Sequence, residues 1–246
     1  MRRDFQSIGL IGASVAMCLV GATALAGPAG AAPSAKSEYQ AALKAATTEN
    51  VHFVSKAIEQ GKHVDEVGDT GKTSGSLTWK LLNGAATETL AIVVVGSTGY
   101  IEGDKPALAK IMGLTAAQST TYTNRWLSFP TSDTSLDELV SGLFTAHVDS
   151  EIQMSGPYTW GGTKMIAGHE AQAIEGTAAT SSGTKVRIVL YVSTGSGTPR
   201  PVEELTDPGT KGASVEGSVT FSRWGEKTDP TAPAKSVPLI PLLNAS

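Results

Sequence analysis

The sequence predicts an α+β fold in which helices interrupt and cover a largely antiparallel sheet. Three observations carry this. Leu77, Trp79 and Leu81 alternate with Ser76, Thr78 and Lys80, the pattern of a strand with one sheltered face. Val215, Val219 and Phe221 alternate in the same way with Glu216, Ser218 and Thr220. Between these tracts Leu136, Leu139, Val140, Leu143 and Phe144 fall at helical spacing behind Ser135, whose distance to Glu138 is that of a capping box.

The chain has 246 residues, of which 40% are hydrophobic and 17% charged, which suits one medium domain, or at most two, with a substantial core. Its formal charge is −4 and no segment gathers its 19 basic residues into a patch. Nucleic-acid binding is therefore not expected. The 27 glycines and many small residues lower the charge density without reaching a disordered or collagen-like composition.

Residues 1–32 read as a signal peptide. Arg2 and Arg3 form the basic start, Ile8 to Leu25 the apolar stretch, and Ala29-Gly30-Ala31-Ala32 a small-residue cleavage zone. Cleavage is expected after Ala31 or Ala32, with Ala24-Leu25-Ala26 as the competing site. A secreted or cell-envelope protein follows. Arg2-Arg3-Asp4-Phe5 matches part of a twin-arginine signal, and Gly12, Gly21 and Gly27-Pro28 dilute the stretch as a membrane anchor. The lone cysteine, Cys18, lies inside the apolar stretch, so a product starting near residue 32 has no thiol or disulfide. Met17 before it and Leu19-Val20-Gly21-Ala22 after it do not form a lipid-attachment site.

A short helix is expected over residues 33–48, with Ser37 and Gln40 at capping-box spacing and Tyr39, Ala42, Leu43 and Ala46 on one face. Strands begin at Val51. Asn83-Gly84 supplies a hairpin turn after the Leu77–Leu81 strand, and Thr87 to Val95 returns as a more continuously apolar, central strand. Asp104 is placed to cap a helix carrying Leu108, Ile111 and Met112, and Thr115 with Gln118 forms another box. Further strands are expected over Met165–Ile166, Gln172–Ile174, Val186–Val192 and Val215–Phe221. Turns are expected at Gly161-Gly162, Ser182-Gly183 and Gly195-Ser196-Gly197. Prolines at 230, 233, 238 and 241 predict an extended or irregular tail.

Motifs for chemistry are sparse. His52, His63, His147 and His169 sit on separate elements without metal-ligand spacing, and Gly96-Ser97-Thr98-Gly99 is a turn rather than a nucleophile elbow. Glu203-Glu204 reads as a solvated pair, and Asp137-Glu138 as acids at a helix start. No phosphate-binding glycine motif follows a strand. No catalytic residue, metal or cofactor is assigned.

The order of features resembles the mycobacterial LppX and LprG lipoproteins, relatives of the periplasmic carrier LolA. The resemblance covers most of residues 37–228. It rests on a helix followed by Val51-His52-Phe53, on Ala91-Ile92-Val93-Val94-Val95 leading into Gly99-Tyr100-Ile101-Glu102-Gly103, and on the helix Leu136 to Phe144. The segment Gly168 to Gly176, the strand Val186 to Val192 and the run Ser218 to Glu226 complete it. It implies a strongly curved antiparallel sheet, a half-barrel, closed by helices around an apolar cavity. The cavity would take the acyl chains of a lipid or lipid-linked glycan, with transient contact to a membrane surface. One carrier domain over 33–228 and a Pro-rich tail over 229–246 follow. Leu77, Trp79, Leu81, Val93, Val95, Ile188, Leu190, Val219 and Phe221 are the candidate lining on the sheet, and Leu139, Leu143 and Phe144 on the cover. This chain departs from the family in lacking a credible lipid-bearing cysteine. The alternative is an envelope interaction or structural module with a filled core and no ligand.

Overall fold

The computed structural model describes residues 32–59, 61–84, 86–148, 152–179, 185–195, 197–207 and 215–244. Residues 1–31 of the expected signal peptide and the expected Ser182-Gly183 turn lie outside them.

Alternation along the chain divides the strands into an inner, covered face and an outer one. In β1 (Val51–Glu59) Val51, Phe53, Ser55 and Ala57 are buried. In β2 (Lys62–Thr70) the buried positions are Val64, Glu66, Gly68 and Thr70, and the register pairs Val51 with Thr70 and Ala57 with Val64. The sheet continues on one side through β3 (Ser74–Asn83), β4 (Ala86–Val95), β5 (Thr98–Gly103) and β6 (Leu127–Pro130). On the other side lie β11 (Val215–Ser222), β10 (Pro201–Asp207), β9 (Lys185–Ser193), β8 (His169–Ala179) and β7 (Ser155–Ile166). These pairings are antiparallel, and a two-residue β12 (Val237–Pro238) adds to β6 in parallel. The twelve strands among the described residues form one open sheet, β12-β6-β5-β4-β3-β2-β1-β11-β10-β9-β8-β7.

Helices cover the inner face in two places. Helix α1 (Ala35–Ala46) lays Ala35, Tyr39 and Ala42 on Ile174, Val186, Ile188, Leu190 and Val192 of β8 and β9. Helices α2 (Lys105–Lys110) and α3 (Ala116–Tyr122) and the short α4 (Asp137–Val140) close the β3–β6 half, where Leu90, Ile92, Ile101 and Leu127 are fully buried. Each such side chain contributes roughly 1.5–3 kcal/mol by leaving water.

Many local expectations hold. Asp104 caps α2 by accepting from the Ala107 amide at 2.9 Å, and Thr115 with Gln118 makes the full capping box of α3. Asn83-Gly84 turns β3 into β4, with Gly84 at φ 63°, and Gly96, at φ 60°, stands in the turn between β4 and β5.

Other expectations are corrected. The α1 cap is Ser34, not Ser37, since the Ser34 hydroxyl accepts from the Ser37 amide. The helix expected from Leu136 to Phe144 is a single turn followed by two 3-10 turns, Ser141–Leu143 and Thr145–His147. Its start is not capped by Ser135, whose hydroxyl donates to Asp133 instead. The cause is competition from the sheet. The Gly71 amide donates to the Leu143 carbonyl and the Thr145 amide to the Gly71 carbonyl, which draws Phe144 into extended backbone at φ −106°, ψ 132°.

Gly161-Gly162 is not a turn but lies within the long, irregularly paired β7, and the chain reverses at Ala167-Gly168, both at positive φ. Of the third expected turn, Gly195 and Gly197 lie between β9 and β10, and Ser196 is outside the described residues. Glu203-Glu204 is not a solvated pair. Consecutive strand residues face opposite ways, so Glu203 meets Lys164 outside while Glu204 is buried inside. The tail is not irregular throughout: β12 and α5 (Ile240–Asn244) follow one another, and Leu239 between them is fully buried in the main core.

Candidate functional site

The registers assemble the inner face into rows that cross the sheet. One runs Ile188, Thr206, Gly217, Ala57, Val64, Leu81 and Glu88. The next runs Leu190, Glu204, Val219, Ser55, Glu66, Trp79 and Leu90. A third carries Phe221, Phe53, Gly68, Leu77, Ile92, Ile101 and Leu127. The Phe53 ring lies against Gly68, where an added Cβ would collide with it. The face is mainly apolar but holds three buried carboxylates, Glu66, Glu88 and Glu204. Glu88 is met by the ammonium of Lys110, reaching in from α2.

The cover rests on the sheet through backbone. Beyond the Gly71 bonds, a Cβ added at Gly75 would stand 2.6 Å from the Leu143 carbonyl oxygen and 2.9 Å from the Leu143 Cβ. Leu136, Leu139, Val140 and Leu143 point into the core despite the broken helix. The far end of the cover is tied to α1 by one side chain. The Tyr39 hydroxyl donates to the Ile152 carbonyl at 3.1 Å and accepts from the Met154 amide at 2.8 Å. Tyr39 stacks on Tyr158, ring centres 5.1 Å apart, and the Tyr158 hydroxyl donates to the Met154 carbonyl. Burial pushes that hydroxyl's pKa above the ordinary tyrosine value.

An apolar cavity lies beneath this junction, lined by Val51, Phe53, Thr70, Val148, Ile152, Val219 and Phe221. Its free space is about 10 Å³, that of a single water. Among the described residues Thr70 supplies its only side-chain polar group, and the Thr70 hydroxyl has no hydrogen-bond partner among them.

A second, polar cleft of about 220 Å³ lies on the outer face at the start of β1, under residues 223–230. Its floor is the row His52, Asp69 and Ser76. Asp69 accepts from Arg223 at 3.1 Å, stands 2.9 Å from His52 Nδ1, and is 3.5 Å from the Ser76 hydroxyl. The serine bonds the carboxylate, not the imidazole, so this is not the nucleophile–base pair that acyl transfer requires.

The sequence-derived lining residues divide as follows. Leu77, Trp79, Leu139, Leu143, Val219 and Phe221 are buried in the main cluster, with Leu81 and Phe144 packed partly buried against it. Ile188 and Leu190 belong to the second cluster, under α1. Val219 and Phe221 alone among them reach the cavity. Val93 and Val95 are on the wrong face. In β4 the buried positions are Leu90, Ile92 and Val94, because Leu77 pairs with Ile92 and Trp79 with Leu90. A continuous apolar run has no parity of its own, so the register with β3 decides it. Cavity residues that sequence reasoning missed are Val51, Phe53, Thr70, Val148 and Ile152. Alternation of Val51, Phe53, Ser55 and Ala57 was the available signal for the first two.

No family model and no curated protein matches the chain. Solved structures do. LprF from Mycobacterium bovis superposes with a TM-score of 0.52 at 16% identity, covering 82% of this chain and 97% of that one. The lipoprotein LppX of Mycobacterium tuberculosis gives 0.47 at 15% identity over 79% and 97%. A LolA-superfamily protein from Nitrosomonas europaea gives 0.28 at 10% identity over 81% and 96%. The fold is thus the one seen in LprF, an open sheet covered by helices.

Proposed function

We propose that the protein is an envelope or secreted carrier that holds an apolar ligand, the acyl chains of a lipid or lipid-linked glycan, between the inner face of the sheet and its covers. One observation carries the reading: the inner face is roofed by two separate apolar covers, α1 and the 136–148 segment, and a cavity lined by six apolar side chains among the described residues lies against Val148 and Ile152, the latter bonded to Tyr39 of α1. The shared fold with LprF supports it. Each methylene moved from water to this face contributes about 0.8 kcal/mol, so ten offset the ordering cost of binding without any specific polar contact. In the complex Val219 and Phe221 line the first part of the ligand site. Leu77, Trp79, Leu81, Leu139, Leu143 and Phe144 line its extension as the cover lifts, and Ile188 and Leu190 its extension under α1. The protein acts after removal of residues 1–32, with transient contact to a membrane surface during loading and no catalytic step.

A second reading is favoured by the cavity's size. A free space of about 10 Å³ suits an interaction or structural module of the envelope with a filled core. Native mass spectrometry of protein purified from its own source separates the two. The carrier retains lipid, released on organic extraction. Protein that emerges free of lipid and takes up none from mixed acyl-lipid micelles is the filled module.

A further inference from the structure

We infer that the Thr70 hydroxyl is the polar reading head of the cavity, and that it selects a neutral acyl ester over both a plain hydrocarbon and a charged fatty acid. The inference rests on the carrier reading and deepens it. Thr70 is 1% exposed, at the end of β2 opposite Val51, and its hydroxyl has no partner among the described residues. A buried hydroxyl left unpaired is costly, and valine would fill the same volume without that cost. Water does not resolve it. The space holds one molecule at most, and among the described residues Thr70 is the only side-chain polar group on its walls, so the side chains offer such a water one of the two to four partners it needs.

The other six lining residues, Val51, Phe53, Val148, Ile152, Val219 and Phe221, define the partner. They match a ligand that is apolar along its length and presents one acceptor atom to the hydroxyl. The carbonyl oxygen of an ester does this. A carboxylate would also accept, but among the described residues no cationic side chain lines the cavity, so its charge would be stripped of water without compensation from them. Once the cover lifts, an alkane matches the apolar walls but leaves the hydroxyl unpaired.

Three probes of matched length test this, delivered from cyclodextrin to the full chain: methyl laurate, tridecane, and laurate at pH 8. The wild-type protein is expected to bind methyl laurate about three- to tenfold more tightly than tridecane, the size of one neutral hydrogen bond, and laurate least of the three. Thr70→Val should bring ester and alkane level, with a melting temperature in the absence of probe equal to or above that of wild type. Thr70→Ser should keep the ester preference, and Thr70→Ala provides a second hydroxyl-free variant should valine pack badly. An ester preference that survives in both Val and Ala variants, or tighter binding of laurate than of its ester, overturns the inference and leaves the carrier intact. Failure of wild type to bind any of the three overturns the carrier reading and this inference with it.

Discussion

Glu88 and Lys110 are unequal partners in a buried pair. The carboxylate is 5% exposed on the inner face, whereas the lysine side chain is 61% exposed at the end of α2. Removing the lysine leaves a desolvated charge behind, and removing the glutamate lets the ammonium return to water. Lys110→Ala is therefore expected to cost about 1–3 kcal/mol, while Glu88→Leu, which extends the apolar row beside Leu81, should change stability by less than about 1 kcal/mol. Urea unfolding of the two variants at pH 7 checks the asymmetry, and equal losses would refute it. Tyr39 presents the same logic with neutral groups. Its hydroxyl serves the Ile152 carbonyl and the Met154 amide at once, so Tyr39→Phe strands two buried backbone groups and should cost about 1–3 kcal/mol. The same variant should raise amide exchange at Met154, a readout that loss of general packing does not concentrate there.

At the scale of elements the cover is the informative case. Its apolar spacing was legible, and Leu136, Leu139, Val140 and Leu143 are buried as that spacing demands. Its conformation was not. A capping box and an amphipathic stripe describe a helix in isolation, and neither registers that Gly71 hydrogen-bonds the cover's backbone and Gly75 leaves room for Leu143. The β4 face has the same origin: Val93 and Ile92 are indistinguishable in a run of β-branched residues until β3 sets the register. Alternating strands such as β3 and β11 declared their inner faces because polar neighbours broke the symmetry. The cavity was least legible, since Thr70 is one threonine among many until burial and missing partners single it out. Two substitutions follow. Leu143→Ala removes a side chain 2% exposed in the main core and should cost the ligand-free protein about 2–5 kcal/mol in chemical unfolding. Gly75→Val drives atoms into the Leu143 backbone, so it should loosen the cover and raise amide exchange at Leu143 and Thr145. Unchanged protection at those two amides would mean that the cover is not seated on Gly75.

At the scale of the whole molecule the two edges of the sheet are handled differently. The β7 edge is open, with Trp160 and Met165 exposed, and is interrupted by Pro157, paired glycines and irregular register, devices that discourage edge-to-edge pairing. The opposite edge is closed by the tail. Val237 donates to the Trp126 carbonyl at 3.0 Å and Leu239 to that of Ser128 at 2.8 Å, which pairs the outer side of β6. Leu239 then drops into the main core, and Val237, Ile240, Leu242 and Leu243 pack partly buried against it. Gln118 of α3 fastens the last turn by donating to the Leu242 carbonyl at 2.9 Å. The tail is thus part of the structure that holds α3 and β6 together, and a boundary at residue 228 would cut through the core. Leu239→Ala should cost about 2–5 kcal/mol. Truncation after Thr228 should cost more, because it also frees the β6 edge and uncovers Leu127, and should leave a chain that aggregates on concentration. Thermal unfolding and light scattering of the truncated chain decide the matter. A melting temperature within about 2 °C of the full-length protein, where a loss of 1 kcal/mol shifts it by roughly 2–4 °C in a chain of this size, would show that the core closes without its last strand.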